Sequence, residues 1–236
     1  MIEVFAVNIK DEFLDNNINS ITERLENYGK QKGKDLKFRF KYKEDLLRTC
    51  VGKMLTRTKM CSILGISNKN LKFFTNTYGK PYIISNKGIY FNISHSGDWV
   101  VGVVSSEEIG IDIEMNLDVQ PDIVDTCFTK NEKVYVYFEN KNGSSSRFYE
   151  IWTLKESFVK ALGKGLSIPL DNFEISKDKL EKELWFNSDY SNNVYYFKTY
   201  KFKNEYTISI ASPLKVFPNE IKIIKATQLY SEFIKS

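Results

Sequence analysis

The two halves of this sequence show the same predicted order of elements, a helix followed by strands, and this order most constrains the fold. In the first half, apolar residues at three- and four-residue spacing predict a long helix over residues 44–64, which Gly65 ends. A strand at 2–9 and a weaker helix at 11–29 precede it. Alternating apolar segments after it predict strands at 71–74, 82–84, 89–93 and 99–104.

The second half begins with a strand predicted at residues 109–114, followed by an irregular segment and a helix at 147–162. Strands are then predicted at 172–176, 183–187, 194–202 and 205–212. A last strand at 221–225 is followed by a short polar tail. The sequence therefore predicts an α+β fold of two similar, pseudo-symmetric halves, residues 1–105 and 106–236, each with a helix packed on antiparallel strands.

Composition limits the class of protein. Of 236 residues, 42% are apolar and 27% are charged, as in an ordinary globular protein. A net charge of +4 is compatible with an acidic or phosphorylated partner but does not by itself indicate binding to nucleic acid. No apolar run reaches membrane-spanning length, and the first residues lack a signal-peptide pattern, so we expect a cytoplasmic protein without a membrane partner.

The cysteines argue against a structural zinc site. Cys50, Cys61 and Cys127 form no CxxC pair, and the chain has a single histidine. A structural zinc ion needs four such ligands, usually at short spacing. Because disulfides are rare in a reducing compartment, we expect buried free thiols.

Two carboxylates alternate with apolar residues in the run from Gly110 to Glu114. Side chains of a strand alternate between its faces, so Asp112 and Glu114 are predicted to point the same way. An exposed edge strand would explain this pair. A buried hairpin, which the surrounding apolar runs favour, would need a cation or hydrogen bonds to compensate the two charges. Mg²⁺ prefers such oxygen ligands, so the pair is a candidate metal site.

A strongly amphipathic helix carries two further candidates. Glu156 and Lys160 are four residues apart and therefore share one helix face. One interpretation is a surface ion pair. In the other, Glu156 completes the metal site while Lys160 contacts a phosphate oxygen. The spacing leaves both interpretations open.

His95, the only histidine, lies between Ser94 and Ser96 where a predicted strand opens into a glycine turn. It is either a hydrogen-bonded structural residue or a group that contacts phosphate or transfers a proton, since imidazole titrates near neutral pH. Neither serine stands in a nucleophile-elbow sequence, which argues against a Ser-His-Asp triad.

Residues 30–43 combine lysines with aromatic residues. The segment is either a solvated surface or an RNA-binding element, although the aromatic motif of an RNA-recognition sheet is missing. Arg48 is a better candidate for holding a phosphate, because its planar guanidinium bonds two oxygens at once. The chain contains neither a phosphate-binding loop nor a dinucleotide fingerprint.

Taken in order, these motifs resemble the Sfp-type (surfactin synthetase-activating) branch of the 4′-phosphopantetheinyl transferases. The similarity covers most of the chain and includes residues 43–48, 78–81, 91–97, 110–114, 148–160 and 163–166. It implies a magnesium-dependent enzyme that transfers the 4′-phosphopantetheine arm of coenzyme A to a serine of an apo-acyl or peptidyl carrier protein and releases adenosine 3′,5′-bisphosphate. The carrier would serve fatty acid, polyketide or nonribosomal peptide synthesis.

The resemblance also implies roles for particular residues, in a site between the two halves. Asp112, Glu114 and Glu156 match the magnesium ligands. Lys160 matches a lysine that contacts the diphosphate, and it is a candidate catalytic residue together with Glu156 and His95. The nucleotide side of coenzyme A matches positions mainly in the first half: Arg48, Lys80, Pro81, Ser94 and His95, with Lys34 and Lys37 at the 3′-phosphate.

The charges suggest how the transfer would proceed. A serine hydroxyl must attack a phosphorus surrounded by negative oxygens, so Mg²⁺ and Lys160 would neutralise the developing charge, with Glu156 as proton acceptor. Two alternatives remain: a Mg²⁺-dependent phosphohydrolase that uses the same carboxylates, and an RNA-binding module built on residues 30–43. The transferase needs no nucleic acid, and two internal halves make a monomer the simplest expectation.

Overall fold

The computed structural model describes residues 1–29, 40–119, 121–137, 146–175, 184–186 and 193–236. Lys34 and Lys37, the predicted 3′-phosphate ligands, lie outside these residues. The described helices, α1 to α6, are Glu12–Gly29, Lys43–Leu64, Pro121–Cys127, Lys130–Tyr137, Ser146–Leu162 and Ala226–Lys235. None of them is long and apolar enough to cross a membrane. The described strands, β1 to β10, are Ile2–Asn8, Phe74–Thr75, Pro81–Tyr82, Tyr90–Ser96, Trp99–Ser105, Gly110–Met115, Leu184–Phe186, Tyr195–Phe202, Tyr206–Ser212 and Lys222–Ile223.

Two four-stranded sheets form the centre of the fold. The first has the order β10-β1-β5-β4, and its strands are antiparallel except for β10, which runs parallel to β1. The second has the order β6-β9-β8-β7 and is antiparallel throughout. Strands β2 and β3 form a separate two-stranded ribbon. The predicted α+β class with two similar halves is confirmed.

The two large sheets pack face to face, with helices on their outer faces. Val4 and Val101 of the first sheet share a core with Ile111 and Ile208 of the second. The outer face of the first sheet, which includes Val7, packs against α1, α2 and α6. Helix α5 covers the outer face of the second sheet. Each sheet is therefore covered on both faces, which explains why apolar residues dominate its strands.

Strand β6 divides its side chains between these layers. Ile111 and Ile113 point into the core between the sheets, so Asp112 and Glu114 point to the opposite face, toward α5. The sequence leaves an exposed edge strand and a buried strand as alternatives for this run. β6 is indeed the edge strand of its sheet, yet only 3% of Asp112 is exposed, so each alternative holds in part. The alternation therefore predicts the common orientation of the two carboxylates correctly.

Side chains join β4 and β6, the neighbouring edge strands of the two sheets. Three alternate residues of β4 accept hydrogen bonds from three alternate backbone N–H groups of β6: Asn92 from Ile111 at 3.0 Å, Ser94 from Ile113 at 3.4 Å and Ser96 from Met115 at 3.1 Å. These bonds satisfy edge donors that would otherwise be buried without a partner. They also fix the strand that carries the carboxylates at the junction of the two halves.

Three helices contradict the sequence predictions. Helices α3 and α4 occupy a segment expected to be irregular, and α6 replaces the expected polar tail. With 7 and 8 residues, α3 and α4 are too short to show a clear apolar period. In α6, the apolar residues at helical spacing, Ala226, Leu229 and Phe233, are buried in the core formed with α1 and α2. The strand predicted at 172–176 is absent from its described part, residues 172–175, because a 3₁₀ turn at Leu170–Asn172 occupies its start.

The C-terminal segment returns to the first half of the chain. Strand β10 pairs with β1. Helix α6 then packs against α2 and α1. The boundary between residues 105 and 106 stays a prediction.

All three cysteines are free thiols, and Cys50 and Cys61 are buried in α2. Burial raises the pKa of Cys50 to about 12 and also raises the pKa of Cys61. Because the thiolate is the reactive form, we expect neither to react with a disulfide reagent at about pH 8 in the native protein. Cys127 is partly exposed, so the prediction of burial is wrong for it; because desolvation raises its pKa as well, it serves as the internal comparison for access alone. Peptide mass spectrometry locates the label, and modification of Cys50 without denaturant would contradict the prediction.

Candidate active site

A cleft of about 420 Å³ opens where β4, β6 and α5 meet. Eight residues line it: Ile93, Ser94, His95, Asp112, Glu114, Trp152, Glu156 and Lys160. Those from α5 follow one another at four-residue spacing, so this helix presents a single face to the cleft. The structure therefore brings the three predicted metal ligands together with the predicted phosphate ligands Ser94, His95 and Lys160.

Asp112 is the most deeply buried carboxylate of the cleft, with 3% of its surface exposed. Its Oδ1 accepts hydrogen bonds from Ser94 Oγ at 2.9 Å and from Lys160 Nζ at 2.5 Å. Its Oδ2 is buried and has no hydrogen-bond partner among the described residues. Desolvation raises the pKa of Asp112, and the Lys160 charge opposes that shift. One oxygen of a buried carboxylate is thus left uncompensated.

Glu114 lies two residues further along β6 and accepts a hydrogen bond from Ser96 Oγ at 2.8 Å. Desolvation, followed by the nearby charge of Asp112, raises the pKa of Glu114 to about 7. The hydrogen bonds from Ser96 and the Trp152 indole oppose this rise. Ser96 therefore holds the carboxylate in place and favours its charged form.

Glu156 faces the same two carboxylates from α5. Desolvation raises its pKa, the charge of Asp112 adds to the rise, and Lys160 opposes it. The Asp112 charge thus raises the pKa of both glutamates that share its cleft. A bound cation would stabilise Asp112 and the two glutamates that its charge repels.

This donor set fits a divalent cation such as Mg²⁺. Mg²⁺ binds few carboxylates and keeps several waters, and Asp112 Oδ2 is an oxygen without another partner among the described residues. In this structure the Lys160 ammonium supplies the positive charge beside Asp112. Within the described part of the chain, no group of three or more His, Cys, Asp and Glu side chains is arranged to hold a metal ion. That all three carboxylates bind one ion therefore stays a prediction.

Arg48 brings positive charge close to His95, on the first-half side of the cleft. Arg48 Nε donates to Gly97 O at 2.8 Å, and its Nη1 donates to Asp45 Oδ1 at 2.7 Å. His95 is exposed as a residue, yet partial desolvation, followed by the charges of Arg48 and Lys160, lowers its pKa. Because the charges of Arg48 and Lys160 both act at His95, the region favours an anion such as phosphate.

Lys80 and Pro81 do not line the cleft. The Nζ of Lys80 donates to Ala161 O at 2.7 Å and to Ile109 O at 3.3 Å. Pro81 is exposed at the start of β3. The assignment of both residues to the nucleotide side stays a prediction.

Two residues at the site, Ser96 and Trp152, are missing from the sequence prediction. Ser96 follows Ser94 by two residues and therefore lies on the same face of β4. Trp152 precedes Glu156 by four residues and shares its face of α5. The same periods that predict the carboxylates would have predicted both positions.

Comparison with known proteins connects this cleft with one family. The model of the 4′-phosphopantetheinyl transferase superfamily matches residues 108–211. The model of the N-terminal part of 4′-phosphopantetheinyl transferase matches residues 23–108. Together the two matches span residues 23–211, which include every residue that lines the cleft.

Three relatives are similar over most of their own length. The 4′-phosphopantetheinyl transferase gsp of Aneurinibacillus migulanus is 35% identical over 78% of this chain and 76% of its own. The 4′-phosphopantetheinyl transferase ffp of Bacillus subtilis is 33% identical, with coverage of 86% and 90%. For 4′-phosphopantetheinyl transferase Sfp of Bacillus subtilis (strain 168), the identity is 34% and the coverage is 81% and 85%. The chain therefore belongs to the 4′-phosphopantetheinyl transferase superfamily and is a transferase of the phosphopantetheine group.

Proposed function

We propose that this transferase moves the 4′-phosphopantetheine arm of coenzyme A to a serine of an apo-acyl or peptidyl carrier protein, with Mg²⁺ as cofactor and adenosine 3′,5′-bisphosphate as second product. The observation that carries the proposal is the buried Asp112 beside Lys160, with one carboxylate oxygen unpartnered among the described residues. Such a pairing of anionic oxygens and an ammonium suits a metal ion bound to a diphosphate. The relatives are themselves named as 4′-phosphopantetheinyl transferases.

Asp112, Glu114 and Glu156 are the proposed ligands of the ion. When bound there, Mg²⁺ would neutralise charge on the diphosphate of coenzyme A. The protein's own contribution is to orient the ligands. Ser94 donates a hydrogen bond to Asp112, and Ser96 donates one to Glu114. Partners of this kind fix the direction of a ligand oxygen.

Lys160 is the proposed diphosphate ligand. An ammonium has three N–H donors, and the described residues use two of them, through Ser94 Oγ at 2.9 Å and Asp112 Oδ1 at 2.5 Å. The third remains for a phosphate oxygen, and 29% of the side chain is exposed. Lys160 can therefore stabilise negative charge that develops at the attacked phosphorus.

Glu156 is the proposed proton acceptor, and His95 the proposed phosphate contact or proton carrier; both line the cleft. The serine oxygen forms a bond to the phosphorus, the bond from this phosphorus to the bisphosphate leaving group breaks, and the serine proton passes to Glu156. The nucleotide side of coenzyme A is proposed to lie along Arg48, Lys80, Pro81 and Ser94, with Lys34 and Lys37 at the 3′-phosphate.

Mass spectrometry of carrier proteins tests this function. Apo-carriers of the fatty acid, polyketide and nonribosomal peptide types are incubated with the enzyme, coenzyme A and Mg²⁺. We expect at least one carrier to gain the mass of the phosphopantetheine arm, and none to do so in EDTA. Hydrolysis of coenzyme A without any carrier would favour a phosphohydrolase. Salt-sensitive RNA binding that Asp112→Asn leaves unchanged would favour an RNA-binding module.

We also propose that the enzyme is a cytoplasmic monomer that needs no nucleic acid. The described cleft takes residues from β4 in one half and from β6 and α5 in the other, so a single chain supplies all of its walls. Sedimentation of the active enzyme measures its mass directly. Activity confined to a dimer would contradict the monomer.

Ser96→Ala should slow transfer about tenfold at limiting Mg²⁺, and less at saturating Mg²⁺. Removing a residue that hydrogen-bonds a metal ligand typically lowers metal affinity or activity by about 10- to 100-fold. Ser96 Oγ donates to Glu114 Oε2 at 2.8 Å, and the alanine removes this bond. Initial rates across a Mg²⁺ titration measure the effect. Ser105→Ala is the control, since the Ser105 hydroxyl contacts the backbone of Glu107 outside the cleft. Equal effects of the two substitutions would contradict the prediction.

A further inference from the structure

The ribbon of β2 and β3 contacts the end of α5 that lies next to the candidate site. Asn76 organises its turn, because Asn76 Oδ1 accepts hydrogen bonds from the backbone N–H groups of Tyr78 at 3.0 Å and Lys80 at 2.9 Å. The same side chain donates from Nδ2 to Gly163 O at 2.8 Å. One asparagine therefore both shapes the turn and binds it to the end of the helix.

Lys80 makes a second set of contacts between the same elements. Its Nζ donates to Ala161 O at 2.7 Å and to Ile109 O at 3.3 Å. The last carbonyl groups of a helix lack donors within the helix and carry partial negative charge, so an ammonium is favourable there. Ile109 directly precedes β6. Lys80 therefore ties the ribbon to both elements that carry the proposed metal ligands.

The Lys80 and Asn76 side chains pack closely against Gly163 at the end of α5. A Cβ added to Gly163, which has φ +66°, would lie 2.6 Å from Lys80 Cδ and 3.1 Å from Asn76 Nδ2. Desolvation lowers the pKa of Lys80 to about 8, and the charge of Glu108 opposes this shift. A largely desolvated amino group stays next to hydrogen-bond acceptors, because burying it without a hydrogen bond is unfavourable.

We propose that Asn76 and Lys80 form a clasp that sets the position of α5 relative to the first half, and that Lys80 is a positioning residue for Lys160 and Glu156. The inference rests on the proposed function. Lys160 directly precedes Ala161, whose carbonyl Lys80 holds, and Glu156 lies about one helical turn before Lys160. The Lys80 ammonium, bonded to two carbonyl oxygens, thus acts through the helix, whereas the contact of this residue with the nucleotide side proposed above would not involve its Nζ.

Three variants test the clasp. Lys80→Met removes the ammonium, Lys80→Arg keeps N–H donors, and Asn76→Asp keeps the acceptor of the turn but loses the donor to Gly163. We expect Lys80→Met and Asn76→Asp to lower kcat about tenfold while KM for coenzyme A changes less than about threefold, because the shifted groups act in the transition state. Lys80→Arg should recover most of kcat. Lys72→Met, at an exposed lysine, is the control without effect.

Amide hydrogen exchange of the free protein provides a readout that needs no activity. We expect residues 157–163 to exchange faster in Lys80→Met than in the wild type or in Lys72→Met. A raised KM for coenzyme A with unchanged kcat and exchange would leave Lys80 with the ligand contact alone and overturn the proposal. Faster exchange with unchanged kcat would also overturn it, because the contacts would then serve stability alone. If the wild-type protein transfers nothing, the proposed function fails, whereas the exchange data still decide whether the clasp exists.

Discussion

Glu156→Gln is expected to slow phosphopantetheine transfer about a thousandfold, since a positioned proton acceptor typically contributes about 10²–10⁴-fold. The substitution keeps the shape of the side chain and removes the charge that the proposed ligand set requires. Asp112→Asn should act similarly, because Asp112 is the most buried carboxylate of the same cleft. Rates at saturating coenzyme A and carrier protein measure the effect.

The same substitution should not lower stability in the absence of divalent cations. Desolvation, followed by the charge of Asp112, raises the pKa of Glu156 in the folded protein. A raised pKa means that ionisation of Glu156 destabilises the fold; the penalty begins near the unfolded pKa of about 4.3, grows with pH, and is complete above the folded pKa. A neutral glutamine avoids this penalty at about pH 8. We therefore expect an equal or higher melting temperature for Glu156→Gln.

Glu107→Gln is the matched control, because Glu107 is an exposed glutamate outside the cleft. It should transfer at the wild-type rate. Thermal shifts add a second readout: Mg²⁺ and coenzyme A should raise the melting temperature of the wild type, and Glu156→Gln should lose most of that shift. Near-normal turnover of Glu156→Gln at saturating Mg²⁺ would refute the role assigned to this residue.

The orientation of the cleft side chains could be predicted because it depends on local periods. Asp112 and Glu114 face one way through the two-residue period of a strand, and Glu156 and Lys160 share a face through the period of a helix. The structure confirms both orientations. The α+β class follows from the same kind of information, since the order of helices and strands is written in local hydrophobic patterns.

Contacts between residues that are distant in the sequence could not be predicted in this way. By spacing alone, the partner of Lys160 is Glu156, four residues away. The structure pairs Lys160 with Asp112, 48 residues away in the sequence. The contact of Lys80 with Ala161 spans 81 residues. Such contacts form only when the two sheets and α5 pack together. A helix or strand period relates residues a few positions apart, so it cannot predict them.

Gly110→Ala is expected to lower both stability and transfer, because β6 and α5 leave no room for a side chain at this residue. A Cβ at Gly110 would overlap the carbonyl oxygen of Ser157 and the backbone of Ala161. These are backbone atoms of α5, which cannot rotate aside as a side chain can, so the helix must shift. Overpacking a core costs about 1–3 kcal/mol. For a chain of this size, each kcal/mol lowers the melting temperature by roughly 2–4 °C.

The loss of transfer by Gly110→Ala should exceed what its lower stability explains. Strand β6 carries Asp112 and Glu114, whereas α5 carries Glu156 and Lys160, so a shift between the two elements separates the parts of the candidate site. A misplacement of about 1 Å can cost about 100-fold in rate. The measurement is kcat well below the melting temperature of the variant, where the protein remains folded.

Gly52→Ala is the control for Gly110→Ala, because Gly52 is also buried but lies inside α2. A Cβ there would meet Ile93 Cγ2 at 3.4 Å, an ordinary contact, and alanine is the better helix former. Gly52→Ala should therefore melt at the same or a higher temperature and keep full transfer. If Gly110→Ala behaved in the same way, α5 could move away from β6 without cost. The close approach of strand and helix would then not be what holds the carboxylates and Lys160 together.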